Sequence, residues 1–186
     1  MATEVKSPPD EEADSAQLVT LRRRVTAAAQ EIERDARISA RCHFRAATFW
    51  STVFYLIGLP TTVLAAVAGV SAIENHSTTA AVLALTVAGL SATTTFLNAG
   101  ERAHAHSKKR AQYEGLKNRA RHFRTVEAPF IDERDRLAEG LGRLDATRDQ
   151  LQRESPQVRM KSWERAAKEV EKKLPRGDTP ERAPSG

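Results

Sequence analysis

Ser91, Thr94 (or Thr95), Asn98 and Arg102 stand three and four residues apart within the stretch TVAGLSATTTFLNAGER, Thr86 to Arg102. On a helix this spacing gathers them on one face. The face grows more polar toward Arg102. Hydroxyls, an amide and a guanidinium can solvate water and ions; they supply no nucleophile with its base and no metal-ligand set. Two readings of the face follow. Each hydroxyl can donate back to the carbonyl four residues earlier, so it can be satisfied without any function. The Asn98 amide cannot be fully satisfied that way, although it lies close to the end of the apolar run. The alternative is that the face lines a water-filled path or a helix–helix seam.

The element that must carry this face is set by the charge pattern. The 186 residues are 28% charged with a net charge of +5, but the charge is segregated. From Ala46 to Ile73, 28 consecutive residues carry none, and from Asn75 to Gly100 another 26 carry none with His76 neutral. Glu74 alone separates the two runs. A helix crosses a hydrocarbon core about 30 Å thick with about 20 mainly apolar residues. A hairpin from a soluble bundle would carry a charged face, and neither run has one. The expectation is an all-α membrane protein: a two-span transmembrane helical hairpin with long cytoplasmic helices. A cleavable signal peptide is not expected, because the apolar segment begins only at residue 46 and lacks a short charged prelude.

The remaining sequence divides around the spans. Residues 1–14 read as a disordered acidic tail and 15–45 as an amphipathic cytoplasmic helix carrying Leu18, Leu21, Val25, Ala28 and Ile32. The first span covers 46–73, an external turn 74–77, and the second span 78–100. A basic cytoplasmic helix is expected over 101–128, stopping at Pro129, then C-terminal cytoplasmic helices over 129–174 and a disordered tail over 175–186. Leu137, Leu141, Leu144 and Leu151 mark the first of the C-terminal helices, weakened by Gly140 and Gly142. Ser155-Pro156 reads as the start of the next, with Trp163, Ala167, Val170 and Leu174 as its apolar stripe.

Orientation follows from Lys and Arg near the spans. Arg34, Arg37, Arg41 and Arg45 precede the first span, and Arg102, Lys108, Lys109 and Arg110 follow the second. The connection Glu74-Asn75-His76-Ser77 has neither. Both termini are therefore expected in the cytoplasm, where the single cysteine, Cys42, has no partner for an intramolecular disulfide.

Apolar burial barely drives helix association in lipid, so small residues and polar contacts matter more. Gly58, Thr62 and Ala66 fall four apart, as do Thr61, Ala65 and Gly69, and Ala84, Ala88 and Ala92 in the second span. Pro60 leaves the Leu56 carbonyl without its helical donor, so a kink is expected there. Two helices cannot enclose a path. With helix axes about 8–10 Å apart, roughly four or more chains are needed to surround water. In such a homo-oligomer Ser91, Thr94, Thr95 and Asn98 would border the path. Arg102 would sit at its cytoplasmic mouth and Glu74 at its outer one, and Leu90, Phe96 and Leu97 could close it by dewetting.

The remaining motifs carry less. No Gly-rich phosphate loop, CxxC or nucleophile elbow is present. His104 and His106 lie two apart and do not share a helix face, so a solvated juxtamembrane position is expected instead of a metal site. Arg176-Gly177-Asp178 lies in the expected cytoplasmic tail, where an adhesion role is not expected. The basic runs are explained as topology determinants and contacts for anionic lipid, not as a nucleic-acid surface. No catalytic residue, cofactor or metal is called for, and an enzyme is not expected.

The layout ARCHFRAATFWSTVFYLIGLPTTVLAAVAGVSAI, short turn, AAVLALTVAGLSATTTFLNAGERAHAHSKKRAQYEGLKNRARHF resembles the SLATT superfamily of two-span effector proteins. The likeness covers roughly residues 16–160. It rests on the aromatic approach to the first span (Phe49, Trp50, Phe54, Tyr55), the Ser/Thr-rich exit of the second, and Tyr113, Lys117 and Arg119 in the helix that follows. The resemblance implies a pore-forming effector of a bacterial antiphage or conflict system, associated with nucleotide second-messenger synthesis or sensing. It implies the bacterial inner membrane as the site of action and a nucleotide-signalling or sensor protein as a possible partner. The alternative is a membrane-anchored scaffold whose cytoplasmic helices hold a partner while the spans pack dry.

Overall fold

The computed structural model describes residues 8–74, 76–156 and 160–173. Every element among them is helical: α1 (Pro8–Ile73), α2 (Ser77–Leu97), α3 (Ala99–His122), a π-helical turn (Phe123–Glu127), a 3-10 turn (Ala128–Phe130), α4 (Arg134–Glu154) and α5 (Met160–Lys173). The predicted tail 175–186, with its Arg-Gly-Asp, and Leu174 of the last apolar stripe lie outside the described residues. So does Asn75 of the external turn. At the other end α1 begins at Pro8, inside the segment read as a tail. α1 also runs on through Pro60.

The chain forms two compact units, Met1–Cys42 with Lys109–Gly186, and His43–Lys108. The first is a bundle. Val25, Ala29, Ile32, Ala36 and Ala40 of α1 meet Tyr113, Leu116 and Ala120 of α3, Phe123 and Ala128 of the turns, and Leu137, Leu144 and Leu151 of α4. Leu116 and Leu137 are among the largest side chains fully withdrawn from water, each contributing about 1.5–3 kcal/mol of apolar burial. Charged pairs set the register around this core. Glu33 is buried and accepts hydrogen bonds from Arg37 at 2.9 Å and Arg124 at 3.3 Å. Arg148 pairs with Asp35, and Arg22 donates to the Ile131 carbonyl at 2.9 Å and to Asp132 at 3.0 Å. α5 adds a small patch, with Ala166 and Val170 against Ile38 and Cys42.

One local expectation gives way to tertiary geometry. Gly140 does not weaken α4; the bundle requires it. A Cβ at this position would overlap the buried Phe123 ring, which lies directly on the glycine backbone. Gly140→Ala is therefore expected to destabilise the bundle by about 1–3 kcal/mol, the usual cost of overpacking. Gly142→Ala, with nothing within 4 Å of its would-be Cβ, should raise stability slightly. Paired urea melts of the two variants check this. Ser155 terminates α4: its N–H donates to the Gln152 carbonyl and its hydroxyl to the Leu151 carbonyl. Residues 157–159, which a helix restarting at Ser155 would include, lie outside the described residues, and α5 is described from Met160.

The second unit is an antiparallel hairpin of the C-terminal part of α1 with α2 and the start of α3. Three contacts fix its register: Phe54 with Gly100, Trp50 with Arg102, and His43 with His106. α1 and α2 each supply an apolar stretch long enough to cross a membrane, and no residue in either apolar window is buried. Large side chains stand open, among them Leu56 (71% exposed), Leu85 (74%) and Phe96 (87%). An apolar surface of that extent belongs against lipid or other protein, not water. The hairpin is membrane-associated.

Candidate functional site

Helical phase explains which residues of the hairpin meet. From Ile57 onward the half-buried positions on α1 are Ile57, Thr61, Leu64, Ala68 and Ser71, with Gly58 at their edge, and on α2 Ala80, Leu83, Val87, Leu90, Thr94 and Leu97. Both sets follow the three-four rhythm of one face, and they form the seam. The site residues named from sequence therefore separate. Leu90, Thr94 and Leu97 face the seam, whereas Ser91, Thr95, Phe96, Asn98 and Arg102 are exposed. Glu74 is exposed in the turn, where its N–H donates to the Val70 carbonyl at 3.1 Å.

The flanks of the hairpin differ. Helices running in opposite directions wind in opposite senses when seen from one end. The flanks that follow the seam by about 100° on each helix therefore fall on the same side of the pair. On α1 that flank holds Gly58, Thr62, Ala65 and Gly69; on α2 it holds Ala84, Ala88, Ser91 and Thr95. From Gly58 to Gly69 and from Ala84 to Thr95, nothing larger than threonine occurs on it. The other flank of α1 presents Leu56, Val63, Val67 and Val70, all exposed. Space is open where a Cβ would stand at Gly58 and Gly69, so contacts within this chain do not account for their smallness.

The threonines are satisfied locally. Thr86, Thr93, Thr94 and Thr95 donate to the carbonyls of Val82, Gly89, Leu90 and Ser91 at 2.9, 2.9, 2.6 and 3.0 Å. On α1, Thr61 and Thr62 do the same toward Ile57 and Gly58 at 2.7 and 3.0 Å. Each hydroxyl oxygen keeps acceptor capacity, but none of these donors needs water.

Asn98 occupies a different structural role from its helical neighbours. It is the C-cap of α2, with φ 45° and ψ 43°, and it is the one non-glycine residue with positive φ among the described residues. The predicted helix through Gly100 is thus broken at this point, and α3 starts afresh at Ala99. The Asn98 N–H donates to the Thr94 carbonyl at 3.0 Å, and the Arg102 N–H to the Asn98 carbonyl at 3.1 Å. The amide Nδ2 donates to Glu101 Oε2 at 2.6 Å. Asparagine is the commonest residue after glycine at such left-handed helix ends. The sequence did carry the signal, an Asn and a Gly just past an apolar run, but the basic helix that follows masked it.

Below this joint α3 lies against α1. The Arg102 guanidinium sits 4.8 Å from the centre of the Trp50 ring, a cation–π geometry. Phe54 rests on Gly100 at van der Waals distance. At the base, His43 Nδ1 and His106 Nδ1 are 3.0 Å apart, with the rings tilted by 36°. Both are buried, at 2% and 8% exposure. The solvated position expected for the H-x-H pair holds for His104, which is exposed, and fails for His106, because two residues along a helix point to different faces. Burial lowers the His106 pKa below its ordinary value. His43 escaped the sequence reading, since its partner lies 63 residues away. Among the described residues no group of three His, Cys, Asp or Glu side chains could hold a metal ion.

No family model, curated protein or solved structure matches the chain.

Proposed function

We propose that this chain is the subunit of a homo-oligomeric pore or channel in a bacterial inner (plasma) membrane. As an effector of antiphage or conflict defence, it would breach that membrane on activation. The observation that carries this reading is the small-residue side shared by both spans, open in the single chain and lined toward the cytoplasm by Ser91 and Thr95. In lipid, such a surface allows close approach of another helix. The row of Leu56, Val63, Val67 and Val70 suits acyl chains. In this arrangement Ser91 and Thr95 border the path, while Leu90, Thr94 and Leu97 hold the hairpin together. Asn98 forms the joint near the cytoplasmic mouth, Arg102 is held on Trp50 beside it, and Glu74 marks the outer mouth. The resemblance to the two-span effectors supports the bacterial setting and a nucleotide-signalling or sensor partner. The locally satisfied threonines favour a second reading, a membrane-anchored scaffold with dry spans.

Conductance separates the two. Full-length protein in planar bilayers is expected to pass discrete currents, blocked by a water-soluble thiol reagent when Cys replaces Ser91 or Thr95. Absence of current, with both cysteines unmodified, would transfer the spans to the scaffold.

Topology has its own check. The Lys/Arg asymmetry supports a cytoplasmic position for both termini. In a Cys42→Ala background, Cys at Ser77 is expected to react with an impermeant reagent from outside intact cells, and Cys at Lys108 only after permeabilisation. Labelling at Lys108 alone from outside would invert the orientation.

A further inference from the structure

We propose that Arg102, held on the Trp50 ring, binds the phosphate of one anionic phospholipid whose acyl chains lie along the large-residue side of the hairpin. The site rests on the reading of the hairpin as two membrane spans and does not depend on a pore.

Its parts all lie within the His43–Lys108 unit. The Arg102 guanidinium stands 4.8 Å from the centre of the Trp50 ring, and Phe49 meets the same ring edge-on at 5.4 Å. A carboxylate would hold the guanidinium by neutralising it. A ring holds it in place and leaves the charge intact. Arg102 is exposed, and its planar fork of N–H donors fits the oxygens of a phosphate. The adjacent carboxylate, Glu101, accepts from the Asn98 amide at 2.6 Å. A zwitterionic headgroup brings its own cation beside the phosphate and an anionic one does not, so the guanidinium favours the anionic lipid.

The level of the site suits a headgroup. Aromatic rings with a polar edge settle where acyl chains give way to phosphates. Phe49, Trp50, Phe54 and Tyr55 form such a collar, and it exists at one end only. From Leu56 to Thr95 the chain has no aromatic residue, lysine or arginine. The lipid therefore belongs to the leaflet at the Trp50 end, which is the cytoplasmic one on the charge asymmetry.

The chains have a surface to follow. Phe49 precedes Leu56 by seven residues, two helical turns, and stands at the foot of the exposed row Leu56, Val63, Val67 and Val70. From Leu56 to Val67 the row rises about 16 Å, which matches half of a hydrocarbon core about 30 Å thick. By the opposed winding of the two helices, the exposed Val82, Leu85 and Phe96 of α2 fall on the same side.

Quenching of Trp50 in the full-length Trp163→Phe protein tests the site. Nanodiscs contain phosphatidylcholine with a minor share of phosphatidylglycerol. Bromine is carried on the acyl chains of either the phosphatidylglycerol or an equal amount of the phosphatidylcholine, so surface charge is identical in the two samples. Brominated phosphatidylglycerol is expected to meet Trp50 about five times as often, the factor that one surface cation contributes. Arg102→Gln should bring the two lipids to parity, whereas Lys108→Gln should leave the preference in place. Each variant is its own reference across the two lipids, so a change in the ring's own emission cancels. Inorganic phosphate, exchanged for chloride at matched ionic strength, should not lower the preference. Equal quenching with Arg102 present would overturn the proposal. So would a preference that Lys108→Gln or inorganic phosphate abolishes. Absence of quenching by either lipid would overturn it together with the membrane spans, which tells the two failures apart.

Discussion

Replacing Gly69 or Ala88 by leucine is expected to break the proposed homo-oligomer into monomers while leaving each hairpin intact. Both residues lie on the stretch of the hairpin's side, Gly58 to Gly69 and Ala84 to Thr95, where nothing exceeds threonine, and the space at Gly69 is open within the chain. The added side chain therefore meets nothing in its own protomer. Between protomers it separates backbones that small residues allow to touch. Overpacking costs about 1–3 kcal/mol at a packed site. That is roughly 5- to 150-fold in association at each interface, and the proposed ring would lose it at every one. Val63→Leu, on the opposite flank of α1, is the control and should change little. Mass photometry in nanodiscs and mild detergent reads the outcome, and bilayer current should fall with the assembly. Unchanged mass for both leucine variants would remove this side of the hairpin from the interface.

The second large effect belongs to Asn98, where two properties can be separated. Asn98→Gly retains the left-handed backbone and removes the amide with its bond to Glu101. Asn98→Leu removes the amide and also forces a side chain into a conformation that costs about 1–2 kcal/mol. A joint predicts near-normal current or toxicity for the glycine variant. For the leucine variant it predicts loss of roughly 5- to 30-fold in the population of the native arrangement. A path-lining amide predicts loss for both. The expected result is the first pattern; equal loss in the two variants would return Asn98 to the wall of the path.

The two long apolar helices were legible because lipid imposes one requirement on every residue of a long run, and charge segregation records it directly. The bundle was legible where apolar residues repeat on one face, as in Leu18 to Ile32, although Ala29 is the deeply buried alanine of that turn and Ala28 lies half-buried. What sequence could not rank were features set by register. The division of Ser91, Thr94 and Thr95 between the open side and the seam depends on which α2 face meets Ile57 and Leu64. The pairing of His43 with His106 depends on how far α3 runs back along α1. Gly140 looks like a weak point until Phe123 arrives from a π-helical turn that no local pattern announces.

The backward hydroxyl bonds of the threonines bear on how such a protein reaches its working form. A side chain that has already found its partner makes little demand on its surroundings. In the proposed homo-oligomer the same surface could then lie against acyl chains after synthesis, against another copy during assembly, and against water once a lumen exists. Each exchange of neighbour would leave the helix's internal bonding unchanged. On that reading a newly made hairpin could enter the bilayer alone, persist there as a single unit, and be recruited later. The threonines fit this sequence better than residues whose amides or charges would need a permanent wet partner.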